Sequence, residues 1–420
     1  MRAIKFFKEY FGETPHKIVS VPGRLDFLNT HQDYKGLPVV SIGVNLRCFT
    51  AIAKSSSDRS IVVSFNLRIY RKKYYDVFSV KNIGSIEKKL FSNYLKSCVK
   101  VLIDSGYRLE EFKAGIYSDV PIGAGMASSA ALTTSFIGAL NSLFNLGLSR
   151  KDIAEYAYKA EHDVLGIPCG RLDQYGCVYG NISLINTKPP YNVEQLPKLE
   201  GVFVVLDSGI KHSTAKIHPR RQEEINTGLR LLLTQNIPDS LRRKLGYNYW
   251  EPEWGSLSLE ELAPYLSKLP PTPRKRIVFT IKMHKSTIEA LKILRGNAVD
   301  HDFLEEAVST VRQFLQEEVS LENKEELIGL IMTYQHILLK ELYDVSLPIL
   351  DKLVIESIKA GAYGAKLSGA GLGGVVIALA RDYNVAKNII KKASIIGARQ
   401  AWIVEVDDGI KEHQIEKILL

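Results

Sequence analysis

Pro121-Ile122-Gly123-Ala124-Gly125-Met126-Ala127-Ser128-Ser129-Ala130-Ala131-Leu132 is the stretch from which the fold is read. Before it, Phe112 to Val120 alternates apolar and polar residues weakly, as a strand does, and after it Ala130 to Leu143 is apolar enough for a buried helix. The stretch is therefore a strand-to-helix loop. Gly123 and Gly125 permit conformations and close approaches that a Cβ would block. Unpaired amides at the start of a helix, at the positive end of its dipole, favour an anion such as a nucleotide phosphate. Ser128 and Ser129 add hydroxyls suited to phosphate oxygens or Mg²⁺. The loop lacks the Gly-Lys-Ser/Thr ending of a P-loop and completes no dinucleotide glycine pattern, so alone it fits a structural turn as well as a phosphate cradle.

The chain has 420 residues, 45% of them hydrophobic, enough to bury large cores and to predict two or three domains. Cys48, Cys98, Cys169 and Cys177 show no paired C-x-x-C spacing, which points to reduced intracellular thiols rather than a zinc site or a disulfide framework. Met1 to Gly12 is charged and aromatic, and no run of about 18 apolar residues occurs, so a soluble cytoplasmic protein without a membrane partner is expected. A net charge of +9 suits nucleic acid, a membrane surface or an acidic small molecule. The basic runs Arg71 to Lys73, Arg242 to Lys244 and Arg274 to Arg276 are short and not interleaved with aromatics, so they read as solvated surface and no nucleic-acid partner is expected. The same charge suits an enzyme with a polyphosphate substrate.

Working outward towards the N-terminus, Ile18 to Val21 reads as a short strand ending at a Pro22-Gly23 turn, followed by a stretch to Gly36 dense in Arg24, Asp26, His31 and Asp33. Such a stretch can be a surface turn with incidental charges. It can equally be a substrate clamp, with Asp33 accepting from sugar hydroxyls, His31 adding a polar contact and Arg24 a permanent charge. Val39 to Val44, Cys48 to Ala53 and Ser60 to Phe65 read as strands and Leu90 to Leu102 as a helix. Ser149 is a candidate N-cap for a helix to Val164 that carries Glu161. Gly166 to Gly176 is turn-rich around Asp173, a carboxylate that either caps a turn or is tuned by desolvation and a nearby cation.

Three separated motifs, in order, resemble the GHMP small-molecule kinases and, within them, the galactokinases. Pro22-Gly23-Arg24 with His31-Gln32-Asp33-Tyr34 is similar to the galactokinase signature; Pro121 to Leu132 looks like the family's phosphate loop; Lys366-Leu367-Ser368-Gly369-Ala370-Gly371-Leu372-Gly373-Gly374 looks like its glycine-rich third motif. The resemblance implies an α+β fold of two domains, about 1–198 and 199–420, with the active site in the cleft between them. It implies transfer of the γ-phosphoryl group of ATP to the anomeric C1 hydroxyl of a galactose-type sugar. Asp173 takes the catalytic aspartate's place and Arg24 stabilises charge; Thr30, His31, Asp33, Gly170 and Arg171 face the sugar. Gly123, Gly125, Ser128, Ser129 and Gly371 approach ATP, and Ser129 with Glu161 holds Mg²⁺, a hard ion that prefers oxygen ligands.

Departures from the family pattern bear on the substrate. Thr30 stands where galactokinases carry a glutamate that contacts the sugar's C6 hydroxyl, Asn29 stands where they carry glycine, and a sugar-touching tyrosine is missing near Ile217 or His218. A lost carboxylate together with Arg171 suits an anionic sugar such as a uronic acid, unless Arg171 pairs with a structural acid. N-acetylgalactosamine and arabinose are further candidates, as is a non-catalytic sensor that binds ATP and sugar. The Arg24 to Tyr34 stretch argues for a sugar over mevalonate or homoserine. Residues 236–276, with Tyr247, Tyr249, Trp250 and Trp254, read as a packed insertion, the alternatives being a lid or a dimer surface. Helices are expected at Val278 to Arg295, Asp302 to Glu318, Lys324 to Leu342 and Leu347 to Ala360. A monomer or homodimer is expected.

Overall fold

The computed structural model describes residues 2–84, 86, 90–210, 214–316 and 321–415, and for 214–216 the backbone only. The chain forms two compact units, one of Met1–Leu25, Ile42–Ser183 and Val406–Leu420, the other of Asp26–Ser41 and Leu184–Glu405. The division is interleaved along the sequence, where the linear reading places a single boundary near residue 198. Among the described residues, no helix is long and apolar enough to cross a membrane.

The first unit is built on a sheet whose main path runs in the order Lys411–Glu412, Lys17–Leu28, Val39–Lys54, Phe112–Ser118, Ser60–Ser64, Tyr75–Phe78, with Ile182–Ile185 paired to Val39–Lys54 and Val193–Gln195 to Ile182–Ile185. Phe112–Ser118 pairs antiparallel with Val39–Lys54, Cys48 opposite Ser118, and parallel with Ser60–Ser64. The helix Ser128–Phe144 is buried along most of its length because its residues are small or apolar, and the hydroxyls of Thr133 and Thr134 bond back to its own Ala130 carbonyl. Ser149 caps the helix Arg150–Lys159 in a reciprocal box with Asp152. That helix widens into a π turn over Ala160–Val164, a geometry common at functional sites, which carries Glu161.

Two turns read from the sequence are regular structure. The strand at Ile18 continues through Pro22-Gly23 to Leu28. Gly23 there serves close packing, since a Cβ would lie 3.1 Å from both Met126 O and Val120 Cγ1. Asp173 sits in the first turn of a helix, Leu172–Tyr179. Residues 406–412 complete the first unit: Arg47, 8% exposed, donates to Asp407 Oδ2 at 2.6 Å, Asp408 O at 2.8 Å and Gly409 O at 2.7 Å.

The second unit carries a four-stranded antiparallel sheet in the order Gln400–Val404, Val202–Asp207, Val375–Ala380, Ala362–Ser368. The helix Lys324–Glu341 lies so close to the Ala362–Ser368 strand that a Cβ on Gly364 would sit 1.9 Å from Gly329 O. A helix expected from Val278 begins at Pro271, because proline at the first helical position leaves no amide to satisfy. The helix expected to reach Glu318 is His301–Leu315, and Glu318 lies outside the described residues. Segment 236–276 holds short helices at Asp239–Lys244 and Leu259–Leu266. Its Trp254, Leu257, Leu262 and Leu266 share one apolar core with Ile225, Leu229, Ile277 and Leu37.

Candidate active site

In the first unit the phosphate loop, Arg24 and Asp173 meet. Arg24 is 6% exposed and donates to Asp173 Oδ1 from Nε at 2.9 Å and from Nη2 at 2.5 Å, while Nη1 donates to Gly125 O at 2.9 Å. One guanidinium thus fixes both the carboxylate and the loop, a task its planar fork suits and an ammonium does not. The Arg24 amide also bonds Met126 O at 3.2 Å, which binds the strand to the loop. Gly123 and Gly125 have φ of 76° and 67°, and Ala127, the residue before the helix, has φ of 56°. No side chain caps the helix at Ser128, and nothing stands within 4 Å of a Cβ placed on Gly123. With no side chain capping them, the first-turn amides are suited to an anion. Gly170 is half-buried and immediately precedes Arg171, the N-cap of the Asp173 helix.

Glu161 is 2% exposed, accepts from Thr133 Oγ1 at 2.9 Å and Gln174 Nε2 at 3.0 Å, and also bonds the Ser129 hydroxyl. Burial pushes its pKa up to about 7 and the charge of Asp173 adds to the rise, against those hydrogen bonds. Among the described residues no group of three or more His, Cys, Asp and Glu is placed to hold a metal ion. A partial oxygen shell of Ser129 and Glu161 fits a Mg²⁺ ion that takes its other ligands from phosphate and water. Arg171 is committed elsewhere: it donates to Glu155 Oε1 at 2.7 Å and Oε2 at 3.2 Å, and its guanidinium lies 4.1 Å from the centroid of the Tyr158 ring. Glu155 is also bonded by Tyr175 Oη at 2.7 Å. The expectation that Arg171 binds an anionic sugar group gives way to a structural ion pair.

In the second unit, residues 26–41 and the third motif are joined side chain by side chain. Lys366 is fully buried and donates to Thr30 Oγ1 at 2.8 Å, Leu367 O at 2.8 Å and Asp26 O at 3.4 Å. Burial lowers its pKa to about 8, against the charge of Asp26, so at neutral pH the ammonium keeps its proton. Because the Thr30 oxygen accepts from Lys366, its own proton is left to donate, the reverse of a glutamate in the same place.

His31, expected to touch the sugar, has both ring nitrogens engaged: Nε2 with Ala370 O at 3.0 Å and Nδ1 with Tyr34 Oη at 3.1 Å. A carbonyl only accepts, so Nε2 carries the hydrogen and Nδ1 accepts from Tyr34. Burial, with His218 and Lys35 nearby, holds the pKa well below the usual value and the ring neutral. Both ring nitrogens of His31 are thus taken up by protein partners, and Nε2 ties the ring to the glycine loop at Ala370. Asn29 and His31 have φ of 66° and 67°; asparagine is the side chain that best tolerates this region, which accounts for its replacing glycine. Asp33 is half-buried at the start of a short 3₁₀ turn. Gly371, at φ 82°, lies where a Cβ would meet Val345 O at 2.4 Å, and the next amide, Leu372 N, bonds that carbonyl at 2.6 Å. Lys366 escaped the sequence reading although it opens the third motif, because nothing local shows that a lysine will be buried.

Residues 93–181 match the GHMP kinases N terminal domain, residues 315–398 the GHMP kinases C terminal domain, and residues 5–54 the galactokinase galactose-binding signature. The chain is 29% identical over 376 residues to a galactokinase from Pyrococcus furiosus, covering 88% of this chain and 90% of that one. It is 25% identical over 409 residues to a galactokinase from Thermotoga maritima, covering 94% and 99%. Its fold is similar to that of Lactococcus lactis galactokinase complexed with galactose, with a TM-score of 0.77, 22% identity and coverage of 97% and 98%. It is also similar to Methanococcus jannaschii mevalonate kinase, with a TM-score of 0.62, 20% identity and coverage of 93% and 98%.

Proposed function

The chain belongs to the GHMP kinase family, whose members use ATP, and from that premise we propose that it is a galactokinase-type sugar 1-kinase. It moves the γ-phosphoryl group of ATP to the anomeric C1 hydroxyl of a galactose-type monosaccharide and releases ADP. The observation that carries this reading is the grip of Arg24 on both Asp173 Oδ1 and Gly125 O, which ties a carboxylate base to a phosphate loop.

Asp173 is the base. With Oδ1 held by Arg24, Oδ2 accepts the proton of the C1 hydroxyl as that oxygen attacks the γ-phosphorus; the bond from phosphorus to the β,γ-bridging oxygen breaks and ADP leaves with the charge. The open amides of Gly123 to Ser129 receive phosphate oxygens, and Gly371 lets the third motif's backbone come close to ATP. Ser129 and Glu161 would hold a Mg²⁺ ion brought in with ATP, which would neutralise phosphate charge. Asp33 accepts from sugar hydroxyls, and Thr30 donates where the related galactokinases accept. A uronic acid is disfavoured because Arg171 is spent on Glu155.

The test is ADP release with Mg-ATP across galactose, N-acetylgalactosamine, arabinose, glucose and galacturonate. Turnover of a neutral galactose-type sugar is expected, and Asp173→Asn is expected to lower kcat by roughly a thousandfold while sugar still binds, within the usual range for losing a general base. Tight sugar binding by the wild type with no ADP from any of them returns the sensor reading.

A further inference from the structure

Tyr249 comes from segment 236–276, which carries no motif. Its ring nevertheless stands edge-on to that of Tyr34, centroids 5.7 Å apart at 84°. Tyr34 adjoins Asp33, the carboxylate assigned to sugar hydroxyls. The ring of His218 completes the group, its centroid 5.2 Å from both Tyr34 and His31. Tyr249 is firmly placed: its amide donates to Asn226 Oδ1 at 2.7 Å and its carbonyl accepts from Trp254 Nε1 at 2.8 Å. Trp254 is 2% exposed and lies in the same apolar core as Leu37 of the sugar-binding stretch. Burial, and then the charge of Asp33, pushes the pKa of the half-buried Tyr249 phenol up, so the hydroxyl keeps its proton near neutrality.

Resting on the sugar-kinase reading, we propose that Tyr249 is a specificity-determining residue that touches the substrate: with His218 it walls the sugar site beside Asp33, and its phenol donates a hydrogen bond to a substrate oxygen. A carboxylate only accepts, whereas a neutral phenol donates as well, so the pair matches a hydroxyl that gives its proton to Asp33 and takes one from Tyr249. The aromatic faces supply apolar surface for the C–H side of a pyranose ring. The ligand at this place is a neutral polyhydroxylated ring, since a carboxylate would meet the charge of Asp33. The inserted segment is thus part of the site and not only packing around it.

Tyr249→Phe keeps the ring and removes the donor; it raises the KM and Kd for sugar up to roughly tenfold, the worth of one neutral hydrogen bond, and leaves the KM for ATP unchanged. Tyr249→Ala raises both sugar constants further. Tyr247→Ala, at a 63% exposed position of the same segment, changes neither. Trp250, whose ring is 4.7 Å from Tyr249 and which is 49% exposed, gives a readout independent of turnover. Sugar added without ATP shifts wild-type tryptophan fluorescence, and Trp250→Phe abolishes the shift.

Sugar constants in Tyr249→Ala equal to the wild type, with unchanged circular dichroism, overturn the assignment while normal wild-type turnover leaves the kinase reading standing. A wild type that turns over no sugar but shows the fluorescence shift, weakened in Tyr249→Phe, does the reverse. A wild type that binds no sugar overturns both. Should Tyr249→Ala fail to fold, the Tyr249→Phe constants decide.

Discussion

Glu161 shows how one enclosed side chain couples stability to chemistry. Its pKa is raised from 4.5 to about 7, chiefly by burial. Below about pH 4.5 it is protonated whether the chain is folded or not. Between there and pH 7 the unfolded chain releases the proton while the folded one keeps it, so folding loses stability as pH rises through that window. Above pH 7 the cost is constant, on the order of 3 kcal/mol by the size of the shift. Glu161→Gln is therefore expected to melt above the wild type at pH 8 without nucleotide, and to match it near pH 4.5, in calorimetric scans over that range. The same variant is expected to lose most turnover at every pH. The residue types were legible in the sequence: Glu161, Asp173 and Arg24 stand at motif positions. What they touch was not, since Arg24 and Asp173 are 149 positions apart and only tertiary folding sets Arg24 on Asp173 or Arg171 on Glu155.

At the scale of elements, the third motif works because its backbone is wedged between neighbours. Gly371 at φ 82° has Val345 O where a Cβ would go, so Gly371→Ala is strained by conformation and by collision alike. It is expected to cost about 2–3 kcal/mol and to raise the KM for ATP more than that for sugar, measured by denaturant unfolding and initial rates. Elements with strong local signals were readable: the Ser128–Phe144 helix from its small and apolar run, the Phe112–Ser118 strand from its alternation, the Ser149 cap from its serine. Pro22-Gly23 is a turn signal locally, but packing against the phosphate loop keeps it in a strand, and the helix expected from Val278 starts earlier because Pro271 suits the first helical position. Tyr249 could not be found at all, because no local pattern shows which distant stretch a side chain will face.

The whole molecule is laid out so that neighbours in sequence belong to different units: Arg24 counts with the first and Asp26–Ser41 with the second. The first unit likewise depends on residues 406–412, which receive the guanidinium of Arg47. A chain ending at Glu405 leaves that group enclosed without these partners, a loss of about 3–5 kcal/mol by analogy with broken buried ion pairs. Its first unit is expected to melt earlier and less cooperatively in calorimetry while the second is unchanged, and Arg47→Met in the shortened chain is expected to recover part of the loss.

The strand Lys411–Glu412 closes the edge of a sheet whose other strands lie before residue 196. On the ribosome those strands emerge early, then wait while all of 196–405 is translated before their last partner appears. The unit that is synthesised first is finished last, and an interrupted message releases a chain with an unpaired edge at Lys17–Leu28, the kind of edge that recruits other chains.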